Sequence, residues 1–158
     1  MQTHDAPTPA ASIPAVNQDG CPVCKFALWM PVAKLSVSRV GLYDDARFPG
    51  RLIVSLDEHY EHFDQVEPGL LSAFMADLKV ASLVLRKMSN VDRVNIAVLG
   101  NKDPHVHAHV IPRRFDDVNH GVSPWEGAPP HAKLSAADRI MYIDMLRQGF
   151  ESVDQQIV

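Results

Sequence analysis

The segment His105-Val106-His107-Ala108-His109-Val110-Ile111-Pro112 sets three imidazoles at i, i+2 and i+4. Imidazole titrates near neutrality and can serve as nucleophile, proton carrier, phosphate partner or metal ligand. In a β-strand successive side chains alternate between faces. The spacing therefore aligns His105, His107 and His109 in one row and turns Val106, Ala108 and Val110 toward a core. Neighbours in the row lie ~6.5–7 Å apart, close enough to act on one phosphate group or to share a metal. A helix would scatter the same residues around its axis. One histidine on a strand is ordinary; three on one face, opposite an unbroken apolar row, point to chemistry.

The second chemical signal is Cys21-Pro22-Val23-Cys24, which holds both cysteines of the 158-residue chain. Two cysteines make no disulfide framework. The pair can be a redox dithiol, half of a zinc site, or incidental. A thioredoxin-like site wants the motif inside a βαβ unit, and the pattern supplies none. A zinc site needs two more ligands, and the histidines are the pool. His59 follows a strand in Asp57-Glu58-His59-Tyr60-Glu61-His62, and His105 opens the histidine row. Cys21, Cys24, His59 and His105 would close a four-coordinate shell, the mark of a structural zinc.

The surrounding elements read as an α+β domain. Val37 to Tyr43 and Arg51 to Leu56 are expected strands, separated by the turn-rich stretch from Asp44 to Gly50. From Glu67 to Met88, Leu70, Leu71, Phe74, Met75, Leu78, Ala81 and Leu85 recur at helical spacing, with Pro68 in the first turn where its missing N–H does no harm. Val94 to Leu99 reads as a third strand, joined to the histidine strand by Gly100-Asn101-Lys102-Asp103-Pro104. Ser135-Ala-Ala-Asp138 starts a second helix through Ile140, Met141, Ile143, Met145 and Leu146.

Length and charge bound the partners. The chain fits one domain, with 46% hydrophobic residues and a net charge of −4. That balance argues against a nucleic-acid footprint, which needs a basic face. No apolar run approaches the ~20 residues of a membrane span. Met1 to Asp19 has neither a basic n-region nor an apolar core, so it is expected to be a disordered tail rather than a secretory signal. A domain over 20–150, a C-terminal tail over 151–158 and a cytoplasmic location complete the expectation.

The triad and its flanks resemble the histidine triad (HIT) family, whose signature alternates three histidines with apolar residues. The likeness extends over residues 20–130. It takes in Asp45-Ala46-Arg47-Phe48-Pro49, Leu52-Ile53-Val54, Asp57-Glu58-His59 and Asn95-Ile-Ala-Val-Leu-Gly100-Asn101. Downstream, Ile111-Pro112-Arg113-Arg114, Asp116-Asp117 and Ser123-Pro124-Trp125 are similar to a bacterial subgroup. The resemblance implies an antiparallel sheet of about five strands packed by a long helix and a C-terminal helix. It also implies a homodimer joined partly through the long helix and a strand that extends the sheet.

It further implies a nucleotide hydrolase or transferase that cleaves a phosphorus bond through a covalent nucleotidyl-histidine. The middle histidine, His107, would be the nucleophile, and His109 would bind phosphate and help the leaving group depart. Asn101 and the amides near Gly100 are candidate phosphate contacts, although Asn101 also suits a plain turn. In zinc-containing relatives the ligands fall at positions matching Cys21, Cys24, His59 and His105, which prefers His59 to His62. Asp44 or Asp45 could meet a ribose hydroxyl. Of the adjacent Arg113 and Arg114, at most one can face the site. His4, His62, His120 and His131 read as surface residues.

The chain departs from the family pattern twice. The Gly-x-x-x-Gly-Gln loop of many members is here the short Gly100–Pro104 segment, and Arg51 stands where a further histidine is common. The rival readings are a slow or non-catalytic nucleotide-sensing module and a protein whose three triad histidines hold a catalytic metal.

Overall fold

A computed structural model describes residues 20–157; the tail expected over 1–19 lies outside the described residues. Five strands pair into one antiparallel sheet: β1 (Pro31–Lys34), β2 (Ser38–Leu42), β3 (Leu52–Leu56), β4 (Val91–Val98) and β5 (His107–Arg114). Their order is β1-β2-β3-β5-β4, so β5 is interior and β4 is an edge. Helix α1 (Pro68–Arg86) connects β3 to β4, and α2 (Ala136–Ile157) follows β5. This is the expected α+β arrangement. β1 had no period-two signature because only four residues form it. β5 begins regular pairing at His107, two residues after the row begins.

Both helices cover one face of the sheet. α1 buries Phe74, Leu78, Ala81 and Leu85, which at helical spacing form a single stripe. That stripe joins Leu52, Val54, Ala108 and Val110 of the central strands in one core. Ser135 starts α2 as expected: its Oγ accepts from the Asp138 amide at 3.1 Å and donates to the Asp138 carboxylate at 2.7 Å. α2 then runs past residue 150, with Phe150 and Val153 buried. Residues 151–157 of the segment expected as a tail are therefore helix, because Val153 continues the apolar stripe. Gly50 holds φ at 95°, a conformation that suits glycine, and closes the turn leading into β3.

With 19 residues and a mean hydropathy of 1.5, α1 is by length and composition alone long and apolar enough to cross a membrane, a measure that core helices also meet. Its apolar stripe and its one buried charge are both used against the sheet. Asp77, 4% exposed, accepts from the Ser36 amide and hydroxyl, the Val37 amide and the Ser38 hydroxyl at 2.7–3.2 Å. These four bonds tie the middle of α1 to the β1–β2 turn. Replacing Asp77 by Ala leaves buried donors unmet and is expected to cost about 2–4 kcal/mol. Urea unfolding reads this as a lower midpoint at unchanged slope; a midpoint equal to wild type would refute the role.

Candidate active site

The register between β3 and β5 decides where the histidines point. Val54 lies opposite Ala108 and Leu52 opposite Val110, and these four face the helices. Ser55 lies opposite His107 and Ile53 opposite His109, on the other face. His105 and His107 are 3% and 4% exposed. Phe26, two residues past Cys24, covers both rings, with centroids 5.2 Å from His105 and 4.9 Å from His107. His107 and His109 meet edge to face at 5.3 Å.

The hydrogen-bond partners set opposite tautomers on these two rings. His107 Nδ1 lies 2.7 Å from the carbonyl oxygen of His105. A carbonyl can only accept, so the proton sits on Nδ1 and the Nε2 lone pair is left available. His109 Nδ1 lies 2.9 Å from Arg51 Nη2. A guanidinium can only donate, so Nδ1 carries the lone pair and Nε2 carries the proton. Burial, then the Arg51 charge, then His107 push the His109 pKa down to about 3. The ring is therefore neutral under physiological conditions.

Arg51 is itself held in place. It is 4% exposed, donates through Nη1 to Asp45 Oδ2 at 2.7 Å, and lies 4.2 Å from the centre of the Tyr43 ring. Asp45 has no exposed surface and also accepts from Arg47 Nε and Nη2 at 2.8 and 2.9 Å. Burial alone would raise the Asp45 carboxyl, but hydrogen bonds from Arg47 and Arg51 hold it below the usual carboxylate range. Asp45 is thus fully engaged inside the protein. Asp44 lines the cleft, with Oδ1 accepting from the Leu134 amide at 2.8 Å and Oδ2 paired with Arg139 at 3.1 Å.

A cleft of about 700 Å³ opens onto His107, His109 and Arg51, within the range for small-molecule sites. Leu28, Trp29, Tyr43, Ile53 and Leu99 supply apolar surface, and Asn101 lies on its rim. His131, expected at the surface, also lines it, and its Nε2 donates to the Asp44 carbonyl at 2.9 Å. That contact depends on the crossing of the 125–135 segment past the Asp44 turn, which no local pattern encodes. Neither Arg113 nor Arg114 lines the cleft. Arg113 is buried among Asn95, Asp117, Asn119 and the Val122 carbonyl, and Arg114 donates to the Pro49 carbonyl. Phe26 and Tyr43 were missed because their roles come from packing. Arg51 had one signal, its place where the family often carries histidine.

Cys21, Cys24, His59 and His105 bring their ligand atoms within 4.8 Å of one another. Cys21 Sγ lies 3.5 Å from His59 Nδ1, and Cys24 Sγ lies 3.5 Å from His105 Nδ1. A tetrahedral zinc with ordinary bond lengths separates sulfur and nitrogen ligands by about 3.5 Å, so the donor set fits that ion. His105 Nε2 donates to the Leu56 carbonyl at 2.8 Å, which leaves the Nδ1 lone pair facing Cys24. Burial pushes the Cys24 thiol up. In Cys21 burial acts the same way, but the amides of Cys24 and Val23, the Cys24 side chain and the Lys25 charge together draw the thiol down. The cluster takes only His105 from the triad; His109 has Nδ1 against the Arg51 guanidinium and its proton on Nε2, which disfavours a three-histidine metal. His62 is exposed and outside the cluster.

A sheet with a histidine row on the face opposite its helices defines a histidine-triad protein. The HIT domain model matches residues 34–116, more than half of the chain, and the protein belongs to the HIT domain family. It is 35% identical over 75 residues to an uncharacterised HIT-like protein of Methanocaldococcus jannaschii; the match spans 45% of this chain and 58% of that protein. Among solved structures, a histidine triad protein from Bradyrhizobium japonicum superposes with a TM-score of 0.69 at 24% identity, covering 77% of this chain and 90% of its own. A zinc-bound histidine triad family protein from Mycobacterium smegmatis gives 0.63 at 18% identity, covering 80% and 87%.

The depressed His109 value carries a stability consequence. The unfolded chain binds a proton at His109 below the ordinary 6.5, and the folded chain refuses it until about 3. Stability from this group is therefore complete above pH 6.5 and declines as the pH falls from there toward 3. Urea unfolding at a series of pH values should show a shallower acid decline for His109→Asn than for wild type. Equal slopes in the two proteins would contradict the assignment.

Proposed function

We propose that this protein is a nucleotide hydrolase or transferase that cleaves a phosphorus bond in a nucleotide conjugate by way of a nucleotidyl-histidine on His107. The observation that carries the reading is the bond from His107 Nδ1–H to the His105 carbonyl, which leaves Nε2 as an unprotonated nucleophile toward a nucleotide-sized cleft. Dinucleoside polyphosphates, adenosine phosphoramidates and aminoacyl- or sulfo-adenylates all present the required α-phosphorus. The apolar wall of Leu28, Trp29, Ile53 and Leu99 suits a base, and the rim suits phosphates.

The reaction proceeds in two steps. His107 Nε2 attacks the α-phosphorus, and the bond to the leaving group breaks with its electron pair. The Nε2–H of His109 donates to a phosphoryl oxygen as negative charge grows there, with Asn101 as a further donor. Water then attacks the same phosphorus and releases a proton to solvent as its oxygen bonds to phosphorus, while the P–N bond breaks and the electron pair returns to His107 Nε2. The product is a nucleoside monophosphate.

Cys21, Cys24, His59 and His105 would hold a structural zinc that fixes the entry to β5 and Phe26 above His107; the likeness to a zinc-bound relative supports this reading. Thiolate ligands suit a reducing, cytoplasmic setting. The edge position of β4, with Ile96 and Val98 exposed, and the exposed Met75 and Leu83 of α1 support pairing of two copies. A net charge of −4 supports a small-molecule rather than a nucleic-acid partner.

Mass spectrometry during turnover of a dinucleoside tetraphosphate and an adenosine phosphoramidate tests the mechanism. A nucleotidyl adduct is expected on the wild type, and His107→Ala should lose it together with ~10³-fold or more of the rate. Turnover that persists in His107→Ala would overturn the mechanism, while binding of both compounds with neither adduct nor turnover would favour a sensing module. Elemental analysis should find one zinc per chain, halved or lost in Cys24→Ser. Chelation should lower Tm by roughly 10 °C, as several kcal/mol of linked stability is removed. A chelated protein with unchanged Tm would refute the structural zinc.

A further inference from the structure

The proposed reaction leaves open how the leaving group departs, and Arg51 bears on that question. His109 is the triad ring assigned to the leaving group. Its surroundings are the Arg51 guanidinium on Nδ1, the edge of Tyr43 and the edge of His107. A guanidinium on Nδ1 makes that nitrogen an acceptor. An imidazolium at His109 would need a proton on the same nitrogen and would set two cations in contact. Arg51 cannot turn away easily, since Asp45 fixes Nη1 at 2.7 Å and the Tyr43 ring lies beneath it. The remaining proton on Nε2 belongs to a neutral imidazole, which donates a hydrogen bond but does not surrender the proton.

We infer that Arg51 restricts His109 to hydrogen-bond donation, so that the site turns over nucleotide anhydrides in preference to nucleoside phosphoramidates. The inference rests on the His107 reading above and narrows its substrate class. In an anhydride the P–O bond breaks and the electron pair leaves on a phosphate, sulfate or carboxylate oxygen as a stable anion that needs no proton. In a phosphoramidate the P–N bond breaks and the nitrogen must gain a proton as it departs. With His109 neutral, no triad histidine supplies it: His107 is the nucleophile, and His105 Nε2–H is committed to the Leu56 carbonyl. Lys25, Lys102 and Lys133 line the same cleft and suit an anionic leaving group, with Asp44 and Asp103 as the opposing charges.

The test compares adenosine 5′-phosphosulfate with adenosine 5′-phosphoramidate in single turnover of the full-length protein. Both produce the same adenylyl adduct on His107, so only departure differs between them. Adduct formation is expected to be ~100-fold or more faster from the phosphosulfate, the low end of what a missing general acid removes. In Arg51→Gln, whose amide permits a proton on His109 Nδ1, that ratio should fall by at least ~tenfold. A purely structural Arg51 would slow both substrates alike and leave the ratio unchanged, which would overturn the inference. So would adduct formation from the phosphoramidate within ~tenfold of the phosphosulfate in wild type. Long-range ¹⁵N correlation spectra of the wild type provide a reading that needs neither substrate nor variant. A neutral His109 protonated on Nε2 is expected near neutrality; an imidazolium or an Nδ1–H form overturns the inference. No adduct on His107 from either compound would instead remove the underlying reading, and the inference with it.

Discussion

The antiparallel register between β3 and β5 is the constraint from which the site follows. Because side chains alternate strictly, a slip of one residue would turn His107 and His109 into the helices and Ala108 and Val110 into the cleft. Burial opposes that slip: Leu52, Val54, Ala108 and Val110 are all fully buried, and imidazoles in their places would lose their hydrogen-bond partners. The hydrophobic effect on one face of the sheet therefore positions the chemistry on the other. β5 lies inside the sheet, between β3 and β4, so the row is held from both sides.

The same face carries a buried charge cluster that the register alone does not explain. Asp45, Arg47 and Arg51 form a carboxylate shared by two guanidiniums, and the carboxylate and Arg51 are almost wholly removed from water. Burying charge is costly unless every partner is present. Here Arg51 meets Asp45 through Nη1 and His109 through Nη2, while its buried Nε has no partner among the described residues. Arg113 and Asp77 follow the same rule elsewhere, each buried and each surrounded by acceptors or donors from separate segments. These side chains tie separate segments to one another, where apolar contacts alone specify no orientation.

The loop from Cys21 to Phe26 links the candidate metal cluster to the candidate nucleophile. The two cysteines face His59 and His105, while Phe26 stacks on His105 and His107. His105 belongs to both clusters: its ring faces Cys24 and Leu56, and its carbonyl fixes the His107 tautomer. Whatever orders this loop also sets the ring that covers the site. That coupling gives the Cys-x-x-Cys motif a physical bearing on the candidate site without placing it among the triad residues that face the cleft.

Much of this was legible in the residues themselves. The i, i+2, i+4 histidines against an apolar row declare a one-sided strand, since period two admits no other reading. Leucines and alanines at helical spacing declare α1, and Ser135 with Asp138 marks the start of α2. The four residues brought together as possible metal ligands are those that donor chemistry and the family resemblance selected. The sequence could not assign protons. Opposite tautomers on His107 and His109 depend on a carbonyl and a guanidinium whose positions arise from strand pairing and from the turn over residues 44–50. Nor could it place His131 at the cleft or Arg113 away from it, because both depend on where a distant segment crosses. Local periodicity determines which face a side chain takes; only tertiary contact determines which atom it meets, and the chemistry of an imidazole depends on that atom.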